Sequence, residues 1–440
     1  MYRKISHYIE EYLTKDANYI LCIDGARQIG KTYIIRELGQ RLYPNYVEIN
    51  MADDKAGDRL FERANTLASF YLCLSSFAGG KIKGGNKRDT LIFIDEIQVY
   101  PELFTLLKSL NLDGRYKFIC SGSALGIAMR KCTLTPMGSI IEKKMYAMDF
   151  EEFLLANGVG EEAISYLKGC FEKGEEVECG IHERILHLFK LYLLIGGMPA
   201  AVAEYLRSQN ILMVREIQRQ IIDMYGDDTG KYDRENRLKI KRIYGLVPSN
   251  LENKVKRIRY NDIEKDTSKN RYLNYEDELD YLISSGIVLN CKAISEPKFP
   301  LLQSSSKNLI KLYMNDVGLL TCLLYKESIQ AVLGDKAKVN LGAVYETVAS
   351  QELSAHGHEL FYYDRKNIGE VDFLVDDYSS LSVLPIEIKS GKDVRNFKAL
   401  PKMIDDKNYG IEKALVLSNE RALPRKGKIL FAPIYNLMFI

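Results

Sequence analysis

The chain has 440 residues, which at roughly 150 residues per domain suggests about three domains, enough to bury large cores without disulfide or metal staples. Its 46% hydrophobic and 27% charged residues are ordinary globular composition, which excludes a disordered or collagen-like chain. With 61 Lys and Arg against 59 Asp and Glu, the net charge is +2, so bulk charge selects no partner and any nucleic-acid contact has to come from local clustering. Eight scattered cysteines with no CxxC pair, and only five histidines, argue against a disulfide framework or a His-rich zinc centre. They read as reduced thiols of a cytoplasmic protein. The opening segment, MYRKISHYIEEYLTKD, is polar and lacks an apolar signal core. The most apolar stretch, residues 191–203, contains Gly196, Gly197 and Pro199 and is too short for a membrane span, so no membrane partner is expected.

In chain order, apolar runs at 19–24, 46–50, 90–95 and 117–121 alternate with helical patterns at 31–42, 58–75 and 101–110. Apolar runs without a polar alternation are strands buried on both faces, so the first 150 residues predict an α/β fold with a parallel sheet covered by helices. Between the first strand and helix lies Gly25-Ala26-Arg27-Gln28-Ile29-Gly30-Lys31-Thr32, which fits G-x-x-x-x-G-K-[ST]. Glycines let backbone N–H groups curl around phosphates, and the helix N-terminus adds partial positive charge. In this motif Lys31 reaches the β- and γ-phosphates and the Thr32 hydroxyl serves Mg²⁺, which makes ATP and Mg²⁺ the expected cofactors. The strand Leu91-Ile92-Phe93-Ile94 ends in Asp95 and Glu96 at the sheet edge where ligands bind. Asp95 is expected to hold Mg²⁺ and Glu96 to polarise the attacking water. Cys120-Ser121-Gly122-Ser123 ends the next strand, and either Ser121 or Ser123 is placed to sense the γ-phosphate.

GARQIGKT, LIFIDEIQ, ICSGSA, YAMDFEEFL and LLIGGMPAAV, in that order, resemble prokaryotic AAA-type ATPases fused to a C-terminal domain of unknown function. The resemblance implies a P-loop AAA-type ATPase core at 1–150 and a helical lid at 151–228. It also implies that Gly196-Gly197-Met198-Pro199 lies in the lid, with Pro199 near the adenine. Arg130 is the nearest candidate for an arginine finger; the alternative is an arginine from a neighbouring subunit of a homo-oligomer.

Residues 231–271 carry 13 Lys and Arg and 6 Asp and Glu, a local +7 that leaves −5 for the rest of the chain. This stretch and the strand pattern after it resemble a winged-helix module, expected at 229–335. Lys254, Lys256, Arg257 and Arg259 are its candidate DNA-phosphate contacts.

The last segment, 336–440, predicts helix 344–355, strands 359–363, 370–375 and 384–388, helix 395–403 and strand 414–418. Strand side chains alternate, so Glu387 and Lys389 share a face, and Asp372 sits on the preceding strand. Two carboxylates can hold Mg²⁺ through hard oxygen ligands, with Lys389 beside the water and Glu346 from the helix as a third carboxylate. The order resembles the PD-(D/E)xK restriction-endonuclease-like fold, with Val371 in place of the proline usual before the aspartate. The whole therefore reads as an ATP-hydrolysing protein acting on DNA with a metal-dependent nuclease-like C-terminal domain. The alternative is a nucleotide-dependent switch whose C-terminal domain binds a partner without cutting.

Overall fold

A computed structural model describes the chain except residues 83–84, 131, 133–137, 233–236, 254–255, 259–262, 264–274, 335–340, 392–393, 396 and 422. It divides into two compact units, Met1–Tyr146 with Ser284–Gly286, and Ala147–Ile283 with Ile287–Ile440.

The first unit is built on a sheet of five strands, β1 (Ile20–Asp24), β2 (Asn45–Asn50), β3 (Thr90–Asp95), β4 (Lys117–Gly122) and β5 (Ile140–Lys144), in the order β2-β3-β4-β1-β5. Every pairing is parallel. β1, β3 and β4 are buried along their whole length, as unalternating apolar runs require. β5 was not expected from the sequence. It is an edge strand whose Glu142, Lys143 and Lys144 are exposed, so it has no apolar run to reveal it. The helix expected from residue 58 begins instead at Leu67, where the Thr66 side chain accepts from the Ser69 backbone in a capping box.

The second unit contains an eight-stranded mixed sheet. Its strands are β6 (Val288–Ile294), β7 (Ser305–Met314), β8 (Leu360–Arg365), β9 (Gly369–Asp377), β10 (Ser382–Ile388), β11 (Ala414–Ser418), β12 (Leu423–Lys426) and β13 (Ile429–Pro433), in the order β12-β13-β11-β10-β9-β8-β6-β7. The helix and strand order expected for the C-terminal segment is present, with the helices at Gly342–Ala355 and Ala399–Asp405. Both sides of the boundary expected at 335/336 belong to this one compact unit. The β6–β7 hairpin, expected as the wing of a separate module, pairs through β6 with β8 in parallel and so extends the C-terminal sheet.

Helix Gly342–Ala355 explains why these segments form one unit. It is buried on all sides from Ala343 to Ser354, so its polar side chains need internal partners. Glu352 accepts from the Phe150 backbone N–H at 2.9 Å and from the Tyr192 hydroxyl at 3.0 Å. Gln351 accepts from the Val317 N–H at 2.9 Å and donates to the Tyr192 hydroxyl at 2.8 Å. These bonds join sequence regions expected to be lid, middle and C-terminal domains. Gly196 and Gly197 belong to the same core. A Cβ on Gly197 would lie 1.9 Å from the Met148 carbonyl oxygen, and the Gly197 N–H donates to Asp316 at 2.6 Å. The close approach accounts for this glycine pair, and Pro199 occupies the first turn of helix Pro199–Ser208, where its missing N–H costs nothing.

Among the described residues no helix is long and apolar enough to cross a membrane. The eight cysteines are free; five are buried and Cys179 is exposed.

Two measurements test this core. Gly197→Ala should destabilise the protein by about 1–3 kcal/mol through overpacking, whereas Gly169→Ala, with open space around its Cβ, should be neutral or stabilising; thermal melts compare them. Burial raises the Asp316 carboxyl to about 6 although backbone N–H groups of Gly197 and Leu319 donate to it. Its proton is therefore held more tightly in the folded state, and the stability this provides is full below pH 4 and lost as pH rises through 6. Relative to Asp316→Asn, the wild type should lose about 2–2.5 kcal/mol between pH 4 and pH 7 in urea unfolding.

Candidate functional site

The phosphate loop follows β1, and Gly30 caps helix Lys31–Leu42 in the left-handed region at φ 95°, a conformation that favours glycine. Gly25 passes under the chain after β5, where a Cβ would meet the Met145 carbonyl oxygen at 2.3 Å. Within the loop Ala26 and Ile29 are buried, and Gln28 also takes a positive φ of 64°. The Lys31 ammonium is buried and donates to the carbonyls of Gly25 at 2.8 Å and Ala26 at 2.7 Å. Burial pulls its pKa down, against the pull of Glu96, Asp24 and Asp95.

Asp95 is the convergence point. It ends β3, is 2% exposed, and accepts from the Thr32 hydroxyl at 2.9 Å, the Ser121 hydroxyl and the Asn50 amide at 3.3 Å. Burial raises its pKa, partly offset by the Ser121 and Thr32 hydrogen bonds. A buried carboxylate beside a hydroxyl, with its charge poorly compensated, suits a hard divalent cation. Thr32 and Asp95 are the residues that would hold it.

Glu96 stands at φ 52°, a conformation in which non-glycine residues are uncommon. Its carboxylate accepts from the Gln98 amide at 2.6 Å and lies 3.6 Å from the Arg27 guanidinium. Gln98 also reaches the Ser123 hydroxyl at 3.4 Å. The two serines are thereby distinguished: Ser121 is fully buried and orients Asp95, and Ser123 connects to Glu96 through Gln98. Sequence reasoning missed Asn50, Gln98 and the Arg27 side-chain role. Asn50 lies opposite Asp95 in the parallel β2–β3 register, a neighbour visible only once the strand order is known.

In the second unit, β9 and β10 run antiparallel, with Phe373 opposite Ile386, which puts Asp372 and Glu387 at the next step. Asp372 accepts from the Ile388 N–H at 2.8 Å. Glu387 is buried; one oxygen accepts from Lys389 at 2.8 Å and the other, Oε2, has no hydrogen-bond partner. Burial raises the pKa of Asp372 well above the usual carboxylate range, and Glu387 and Glu346 push it further. Glu387 is also raised by burial, against the pull of Lys389. The orphaned Glu387 oxygen and the unfavourable neighbouring carboxylates fit a divalent cation held by Asp372 and Glu387.

Glu346 departs from its expected role as a third metal carboxylate. It is buried, bonds to the Lys256 ammonium and accepts from the Tyr313 hydroxyl at 3.1 Å. Burial would raise it, but Lys256 and Lys311 outweigh that and hold its pKa low. Among the described residues no three Asp, Glu, His or Cys side chains form a metal-ligand group. Lys256 and Arg257 also depart from their expected role as phosphate contacts. The Arg257 guanidinium pairs with Asp364 at 2.7 Å and donates to the Tyr362 hydroxyl at 2.8 Å, so both cations are spent on internal partners. Lys254 and Arg259 lie outside the described residues.

Residues 17–154 match the family model of an AAA domain, so the phosphate-loop unit is an AAA-type ATPase core. Residues 186–330 and 341–437 match two domains of unknown function, DUF8612 and DUF4143. No curated protein matches the chain. Among solved structures, the chain is similar to a Walker-type ATPase of Pyrococcus abyssi at 16% identity and a TM-score of 0.45, over 73% of this chain and 95% of that one. It is also similar to AMPPCP-bound DnaA from Aquifex aeolicus, at 14% identity and a TM-score of 0.28, over 64% of this chain and 78% of that one. A third likeness, to the RuvB Holliday junction branch migration motor of Thermotoga maritima, has 14% identity and a TM-score of 0.28, over 66% and 89%.

The C-terminal carboxylates can be tested by Mn²⁺ binding alone. Asp372→Ala and Glu387→Ala should each weaken binding at least about tenfold, as loss of a ligand's charge-assisted contact predicts, with Asp364→Ala as the unaffected control; isothermal titration calorimetry measures all three.

Proposed function

Starting from an AAA-type ATPase core, we propose that the chain binds and hydrolyses ATP and that its second unit carries a metal-dependent, nuclease-like centre acting on DNA. For the ATPase, the observation that supports the reading most is the convergence of Thr32, Ser121 and Asn50 on the buried Asp95 beside the phosphate loop. Lys31 leaves the loop carbonyls to neutralise the β- and γ-phosphates, a better partner for its buried ammonium. Thr32 and Asp95 would hold Mg²⁺, which when bound would supply neutralisation of charge on the transferred phosphate. Glu96 accepts the proton of the attacking water. Ser123, reaching Glu96 through Gln98, is the serine that links the γ-phosphate to the base.

For the second centre, the supporting observation is Asp372 and Glu387 on adjoining strands with Lys389 bonded to Glu387. Asp372 and Glu387 would hold a divalent cation, which when bound would supply polarisation of the scissile phosphate and ease loss of a proton from water. Lys389 orients that water and stabilises the negative charge that develops.

The second reading, a nucleotide-dependent switch with a non-cutting C-terminal module, is favoured by a specific restraint. Glu96 is held by Gln98 and faces Arg27, which suits slow, regulated turnover. In this reading Asp372, Glu387 and Lys389 bind a partner and do no chemistry.

Lys31→Ala should weaken ATP affinity by about 10- to 150-fold, the loss of a charge-assisted contact. Glu96→Gln should keep binding and lose turnover; hydrolysis by this variant at the parental rate overturns the role of Glu96. For the second centre, linear, circular and single-stranded DNA are incubated with Mg²⁺ or Mn²⁺, with and without ATP. Wild type should cut, and Glu387→Ala should not while retaining ATP hydrolysis. Absence of cutting by wild type selects the switch.

A further inference from the structure

The first unit has a cation-lined cavity at the opposite end of the sheet from the phosphate loop. Its volume is about 500 Å³, and its lining includes Lys15, Asp16, Tyr43, Lys87, Arg88 and Lys117. Lys117 opens β4, whereas the phosphate loop follows the carboxyl end of β1. At about 3.3 Å per strand residue the two sites lie on the order of 15 Å apart along the sheet.

Lys117 is the unusual member. It is 3% exposed. Its ammonium donates to the Lys15 carbonyl at 3.0 Å and sits 3.9 Å from the centre of the Tyr12 ring. Among the described residues no carboxylate lies within ion-pair distance of it. A buried cation without a counter-ion is costly, and here a second cation adds to the cost. Burial and the neighbouring Lys87 pull its pKa down to about 8, which Asp16 only partly opposes. Asp16 is itself exposed and paired with Lys87 at 2.6 Å, and Lys15 is paired with Glu11 on the surface. Of the four cationic residues in the lining, Lys15 and Lys87 are thus paired, and the most buried, Lys117, is unmatched.

We propose that this cavity binds a small phosphorylated anion bearing at least two negative charges, with Lys117 at its floor and Lys87 and Arg88 at its rim. A multiply charged phosphate supplies the counter-charge that Lys117 lacks and has enough acceptor oxygens for several ammonium and guanidinium donors at once. A cavity of this volume is in the range of small-molecule sites. A polymer backbone is a poorer fit, because phosphates on an extended strand would have to reach a lysine that is almost completely buried.

The test uses pyrophosphate as the probe and the full chain carrying Lys31→Ala, which weakens the phosphate loop and leaves the cavity intact. Calorimetry should show pyrophosphate binding to this protein, with inorganic sulfate binding more weakly because it carries less charge. Adding Lys117→Met should weaken pyrophosphate binding at least tenfold. Adding Lys87→Ala and Arg88→Ala in place of Lys117→Met should weaken it by a similar factor, and these positions, half-buried and exposed respectively, keep the test valid if Lys117→Met fails to fold. No binding to the Lys31→Ala protein, or binding unchanged by the rim substitutions, overturns the proposal.

Discussion

A single buried carboxylate organises the first unit. Asp95 is 2% exposed at the end of β3 and accepts from residues on three other elements, Thr32 of the helix after the phosphate loop, Asn50 of β2 and Ser121 of β4. An unmatched charge in that position would be expensive, so each neighbouring element has to arrive with a donor in place. This demand sets the relation between the phosphate loop and the strand ends. The parallel sheet makes such an arrangement economical, because all its strands end at one edge and bring their terminal side chains together.

Charge in the second unit is handled differently. Glu346, Glu370, Asp372 and Glu387 share a region with Lys256, Lys311 and Lys389. Lys311, 1% exposed, pairs with Glu370 and lies 4.5 Å from the centre of the Tyr362 ring. Its neighbouring carboxylates Glu346 and Glu370 outweigh burial and hold its pKa high. Of these seven residues the three lysines offset all but one carboxylate, and Asp372 is the acid whose pKa is raised furthest by burial and by its neighbours. Glu387 nearby keeps one oxygen without a hydrogen-bond partner. Glu346 is already offset by Lys256 and Lys311, contributed from elsewhere in the chain.

Much of this was legible in the residues. The spacing G-x-x-x-x-G-K-T and the apolar strand ending in Asp-Glu could be tied to the strand–helix junctions found in the fold, because both signals are local. Asp372, Glu387 and Lys389 could be assigned to one face because side-chain alternation along a strand is also local. The helix and strand order of the last hundred residues was readable for the same reason. The capping box at Thr66 was a local signal too, and overlooking it set a helix start eight or nine residues early.

The long-range partners were not legible. The sequence by itself determined the chemistry of the phosphate loop, the strand that carries Asp95 and Glu96, and the pairing of acidic and basic positions on β9 and β10. Tertiary structure alone decided that Asn50 faces Asp95, that Ser121 and Ser123 have different partners, and that Lys256 and Arg257 turn inward to Glu346, Asp364 and Tyr362. It also decided that the β6–β7 hairpin completes the C-terminal sheet. The physical reason is the same in each case. A motif needs only the neighbours that chain geometry supplies, whereas the destination of a charged side chain or an edge strand depends on which distant segment offers a counter-charge or an unpaired backbone, and residue spacing carries no record of that.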